Sequence, residues 1–131
     1  MDRITIEQFG KDHWSLLMYI QTRVLDCNGI LDVNHLRSKN TIFRQGWTPE
    51  YGTRLFGYWN KDSTVNRLLL LGNHDDFNCL EDLEGEGLVK NSGTRLNPVC
   101  TITEKGIKII CQLLLHKQAG NNYSDFVAKI E

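Results

Sequence analysis

At 131 residues the chain fits one domain, and a chain of that length buries roughly two-thirds of the surface its unfolded form exposes, so a core needs no covalent staple. Hydrophobic residues make up 40% and charged residues 24%, which excludes the low-hydrophobicity, high-charge composition of a disordered chain. The formal net charge of −1 gives no global cation excess to draw the molecule onto nucleic acid or an anionic membrane; any nucleic-acid binding must come from a local patch.

From Met1 to Gly10 the sequence is mostly polar, unlike a secretory signal, and no apolar run approaches the length of a bilayer span. The four cysteines, Cys27, Cys79, Cys100 and Cys111, form no C-x-x-C pair and have no histidine at ligand spacing beside them. That spacing argues against a structural zinc site and for free thiols in a reducing cytoplasm. We therefore expect a soluble cytoplasmic protein with no membrane contact and no cofactor.

Asp12 is the expected N-cap of a first helix running from His13 to about Asp26. Trp14, Leu16, Leu17, Met18, Ile20, Val24 and Leu25 spread over more than one of its faces, the mark of a central, buried helix. Cys27-Asn28-Gly29 supplies residues that tolerate the left-handed conformation at a helix end, and Ile30-Leu31 reads as a short strand. Residues 38 to 73 read as an elaborated insertion with a short helix starting at Thr48-Pro49-Glu50; Leu68 to Leu71 is too short a run for periodicity to assign.

Beyond it, Asp75 or Asp76 caps a helix in which Phe77, Leu80 and Leu83 recur at spacing three, ending at Gly85-Glu86-Gly87. Leu88 to Lys90, a turn at Asn91-Ser92-Gly93, and Val99 to Ile102 form a hairpin, with Pro98 at a strand start where proline is tolerated. Thr103 caps a last helix through about Lys117, with Ile107, Ile110, Cys111, Leu114 and Leu115 on one stripe. Residues 121 to 131 form a short terminal helix or tail. The whole predicts one α+β domain, mostly helical, with a two- or three-stranded sheet.

The order of helix, "GLVKNSGTRLNPVCTITEKG" and helix over residues 76 to 118 resembles the third helix, wing and following helix of winged-helix proteins. Gly87-Leu88-Val89-Lys90 and Ile102-Thr103-Glu104-Lys105-Gly106 are similar to the wing of MarR-like regulators. The resemblance implies a winged-helix-like domain with a C-terminal β-hairpin wing, and only weakly a function. "FGKDHWS" at Phe9 to Ser15 and "GNHDDFNCLEDLE" at Gly72 to Glu84 resemble segments of small bacterial and mobile-element proteins, a likeness that brings no activity. The long polar connection between the first two helices departs from the short turn of a helix-turn-helix.

In the docking that this resemblance implies, the Asp76 helix would enter the major groove. With its apolar stripe inward, Asp75, Asp82 and Glu86 are expected to face outward, and no Lys or Arg lies between Leu68 and Val89. Each carboxylate near a phosphate costs on the order of 1 kcal/mol in water, whereas non-specific DNA binding yields only roughly 5.5 to 8 kcal/mol. This helix is therefore not expected to read DNA. Lys90, Arg95, Lys105 and Lys108, with Lys117 behind them, are the candidate nucleic-acid contacts, on the wing side. Asp75, Asp82 and Glu86 are instead candidates for a protein partner, as are Trp47, Tyr51, Arg54 and Trp59, aromatics interleaved with an arginine in the insertion.

His74-Asp75-Asp76 and Asp12-His13 carry groups that can hold a divalent ion or relay a proton. Both pairs fall at helix starts, where Asp is favoured as a cap and against the helix dipole, and the sequence nominates no third ligand or nucleophile; no metal site and no catalytic residue is assigned. Two functional readings are carried forward. One is a winged-helix-type regulatory protein associated with nucleic acid through the wing side. The other is a non-enzymatic protein-interaction module that uses its acidic helix face and binds no DNA.

Overall fold

In the computed structural model, which describes residues 4–36 and 74–130, helix α1 spans Lys11–Cys27. It starts two residues before the expected point, because Gly10 and not Asp12 is the N-cap. Extended Gly10 leaves its N–H free to donate to His13 Nδ1 at 3.3 Å, which satisfies one of the orphan donors at the helix start. Asp12 lies in the first turn, where a carboxylate faces the positive end of the helix dipole, and it pairs with Lys11 Nζ at 2.7 Å. Every residue from Asp12 to Ile20 is buried, as the breadth of apolar surface implies for a central helix. Asn28, with φ 55°, ends it in the left-handed conformation.

Helix α2, Asp76–Gly85, is capped by Asp75 as expected. The Asp75 carboxylate accepts from the Asn78 N–H at 3.2 Å and the Asn78 side chain accepts from the Asp75 N–H at 3.1 Å, a reciprocal capping box. Strands β1, Val89–Asn91, and β2, Cys100–Ile102, pair antiparallel with Lys90 opposite Thr101. Asn91 Oδ1 holds the turn, accepting from the Gly93 N–H at 2.9 Å and the Val99 N–H at 3.0 Å. The expected strand at Ile30-Leu31 is a single bridge from Ile30 to Val99. Gly29 makes that approach possible: its φ is +84°, and a Cβ there would lie 2.1 Å from the Cys100 carbonyl oxygen.

Helix α3 spans Glu104–Gln118. Thr103 Oγ1 accepts from the Gly106 N–H at 3.0 Å, an N-cap, and itself donates to the Leu88 carbonyl at 3.0 Å. The expected inward stripe is rotated. Gly106, Ile109, Ile110, Leu113 and Lys117 face the core, Leu114 is half-buried, and Ile107, Cys111 and Leu115 are exposed. The terminal segment is a 3₁₀ turn, Tyr123–Asp125, followed by non-helical chain rather than a helix, and Tyr123 and Phe126 anchor it in the core.

The described residues thus form an α+β arrangement of three helices and one two-stranded antiparallel sheet. Helix α1 runs through the middle, touching α2, β2, α3 and the terminal turn. The expected insertion over residues 38 to 73, with Trp47, Tyr51, Arg54 and Trp59, lies outside the described residues.

Candidate functional site

Among the described residues, the densest polar chemistry lies inside the core, where the first turn of α1 meets α2. Of the two His-Asp dipeptides singled out in the sequence, the aspartates do local work: Asp75 caps α2 and Asp12 pairs with Lys11. The histidines also reach across the fold. His13, from α1, and His74, two residues ahead of α2, both reach the same oxygen of Asp82, with Nε2 to Oδ2 distances of 2.8 Å and 2.5 Å. The other oxygen, Oδ1, accepts from the Ile4 N–H at 3.0 Å. Cys79, one helical turn before Asp82 on α2, completes a buried group in which one ligand-type atom from each of His13, His74, Cys79 and Asp82 lies within 4.8 Å of the others.

This geometry overturns the expected orientation of α2. Asp75 and Asp82 were expected to face solvent, yet each is only 1% exposed. Phe77, Cys79, Leu80 and Leu83 are buried as well, which leaves Glu81 and Glu84 as the exposed acids and Glu86 half-buried. The helix packs against α1 and β1, so two of the three acids expected to meet a partner, Asp75 and Asp82, are in the interior.

Proton positions follow from the donors. The Gly10 N–H points at His13 Nδ1, so that nitrogen is an acceptor, and the neutral ring carries its proton on Nε2, which donates to Asp82. Phe9 stacks flat on the His13 ring, with centroids 4.1 Å apart. Burial pushes the His13 pKa below the ordinary imidazole value, outweighing the hydrogen bond and charge of Asp82, which raise it. Asp82 takes the Nε2–H of His13 on Oδ2 and the Ile4 amide on Oδ1, and His74 Nε2 pairs with the same Oδ2.

No protein-family model, curated protein or solved structure matches this chain.

The candidate cations on the hairpin and α3 are in mixed circumstances. Lys90 and Lys108 are exposed. Arg95 is exposed but bound back onto α2, through an ion pair to Glu81 at 3.0 Å and a cation–π contact with Phe77 at 5.2 Å. Lys105 is exposed and donates to the Glu86 carbonyl at 2.8 Å. Lys117 is in the interior at 5% exposure, with its ammonium 4.5 Å from the centre of the Tyr123 ring, which takes it out of the expected patch.

Sequence reasoning missed Lys129. The terminal chain runs back along α3, and Gln112 clamps it by donating to the Lys129 carbonyl at 2.9 Å and accepting its N–H at 2.7 Å. Lys105, Lys108, Gln112 and Lys129 thereby line one open cleft of about 630 Å³. It missed Cys79 and Asp82 as partners of the histidines too. The signal available was H-x4-C-x2-D over residues 74 to 82, with Cys79 and Asp82 three apart and so on one helix face. Nothing local ties His13 to it, since 69 residues separate His13 from Asp82.

Proposed function

We propose that this chain is a non-enzymatic, winged-helix-type regulatory protein that meets nucleic acid with its wing hairpin and the exposed side of α3, and not with α2. The observation that carries the reading is the charge of the exposed surface beyond Leu88. Among the described residues there, Lys90, Lys105, Lys108 and Lys129 are exposed, with Arg95 paired to Glu81 of α2, against only Glu104 and Asp125. A phosphate backbone is attracted to such a local excess even when the whole molecule is close to neutral. The order of α2, hairpin and α3 with the Thr103 cap is consistent with the wing of a winged helix, and the burial of α2 directs contact to the wing side. What supports the non-enzymatic part of this reading, among the described residues, is access: Cys79, the thiol nearest the paired histidines, is only 1% exposed, and a nucleophile must reach its substrate.

Fluorescence anisotropy of labelled duplex DNA against the purified protein, at low and at near-physiological salt, tests this. Saturable binding that weakens steeply with salt is expected, and Lys105→Glu with Lys108→Glu should flatten the log–log salt slope by about two units. No binding at low salt would sink the reading. The interaction-module alternative then moves from α2 to α3, on which Ile107 and Leu115 are 52% and 67% exposed. In that case Leu115→Glu should abolish self-association or partner capture while leaving the melting temperature unchanged.

A further inference from the structure

We propose that His74, Cys79 and Asp82 hold a divalent transition-metal ion of the zinc class, and that His13 is a positioning residue that orients Asp82 from outside the coordination shell. The inference is independent of the nucleic-acid reading. Imidazole nitrogen, thiolate sulfur and carboxylate oxygen together form a borderline-soft donor set that suits zinc and cobalt and is a poor fit for calcium or magnesium. Their ligand-type atoms, with one from His13, lie within 4.8 Å of one another, and all four residues are buried.

Charge points the same way. An isolated carboxylate in a core is costly unless it is compensated. A dication with one thiolate, one carboxylate and one neutral imidazole sums to zero, so loading leaves no net charge inside. His13 cannot be a ligand without a conflict. Coordination through its Nε2 would move the neutral ring's proton to Nδ1, the atom that already accepts from the Gly10 N–H at 3.3 Å. Left as it stands, His13 donates Nε2–H to Asp82 Oδ2 at 2.8 Å, and the Ile4 amide donates to Oδ1. These are the contacts that fix a ligating carboxylate. The site would then join the chain ahead of α1, α1 itself and α2 at one point. Loading expels the Cys79 thiol proton to solvent, so affinity rises with pH.

The test is titration of the reduced, full-length chain with Co²⁺, followed by competition with Zn²⁺. One-to-one binding is expected, with a thiolate-to-cobalt charge-transfer band and visible d–d bands, all removed by zinc. Cys79→Ser should lose the charge-transfer band, and His74→Gln should lose tight binding. His13→Gln should keep the band and weaken binding roughly 10- to 100-fold. Because these substitutions fall in the core, the wild-type chain is also melted with Zn²⁺ and with chelator; a rise in melting temperature with Zn²⁺ is expected. Absence of stoichiometric binding by the wild-type chain overturns the proposal, as does a charge-transfer band that survives Cys79→Ser. Loss of the band in His13→Gln overturns the role given to His13.

Discussion

Asp82 accepts from a backbone amide and the His13 imidazole and pairs with the His74 imidazole, so three groups lose their partner if it is removed. Each buried donor left unpaired costs about 1–3 kcal/mol. Asp82→Ala should therefore lose more than about 3 kcal/mol in urea unfolding of the metal-free protein, and a loss below about 1 kcal/mol would show that the network is not structural. Histidine also sets a pH dependence. His13 and His35 both titrate below the free imidazole value of 6.5, each chiefly through burial. Between the lowered folded value and the unfolded one, the unfolded chain binds more protons, so stability is fully present above about pH 6.5 and falls as the pH drops toward the folded value. The urea midpoint in chelator should therefore decrease from about pH 7.5 to about pH 5.5. His35→Gln should shrink that decrease, because His35 Nδ1 is 3.0 Å from the Tyr19 hydroxyl that also accepts from the Asp32 N–H. A midpoint that does not move with pH would contradict this.

Among the elements, the hairpin and α3 are joined by one close approach. Thr103 donates its backbone N–H to the Leu88 carbonyl at 3.0 Å, and Gly106 lies so near that its Cβ would be 2.1 Å from that same oxygen. The last glycine of Ile102-Thr103-Glu104-Lys105-Gly106 is thus a packing requirement of the hairpin–helix junction. Gly106→Ala should cost about 1–3 kcal/mol, the usual range for overpacking, and Gly29→Ala should cost more because it adds a left-handed backbone to a similar clash. Equal stability of Gly106→Ala and wild type in denaturant titration would contradict the packing account. Most caps and turns were legible because they depend on neighbours within four residues: Asp75, Thr103 and Asn28 act where expected, whereas Gly10 takes the cap expected at Asp12. The inward face of α3 was not legible, because Ile107, Ile109, Ile110, Cys111, Leu113, Leu114 and Leu115 make the helix apolar nearly all round, and periodicity cannot choose a side.

In the whole molecule, Trp14 links the two ends of the described chain, meeting Phe9 edge-on at 5.3 Å and Phe126 at 4.9 Å. Tyr123 and Phe126 are part of the core, so the terminal segment belongs to the domain although it has no regular structure after Asp125. Truncation after Gly120 would expose Trp14 and delete two buried aromatics, each worth about 3 kcal/mol or more. The truncated chain should melt well below the full chain in a thermal scan, and an unchanged melting temperature would show that the tail merely rests on the surface.

The sequence by itself determined the α+β content, the central buried α1, the capped α2, the hairpin and α3, because composition, hydrophobic breadth and capping chemistry act over short spans. Tertiary structure decided which way charged residues point. Asp82 looks like a solvent-facing acid in a helix wheel, and it becomes the hub of a buried cluster only when α1 brings His13 against it from 69 residues away. Burial of that kind is a property of packed elements, and its energetic logic, a charged group brought inside only with its donors already in place, cannot be read from local spacing.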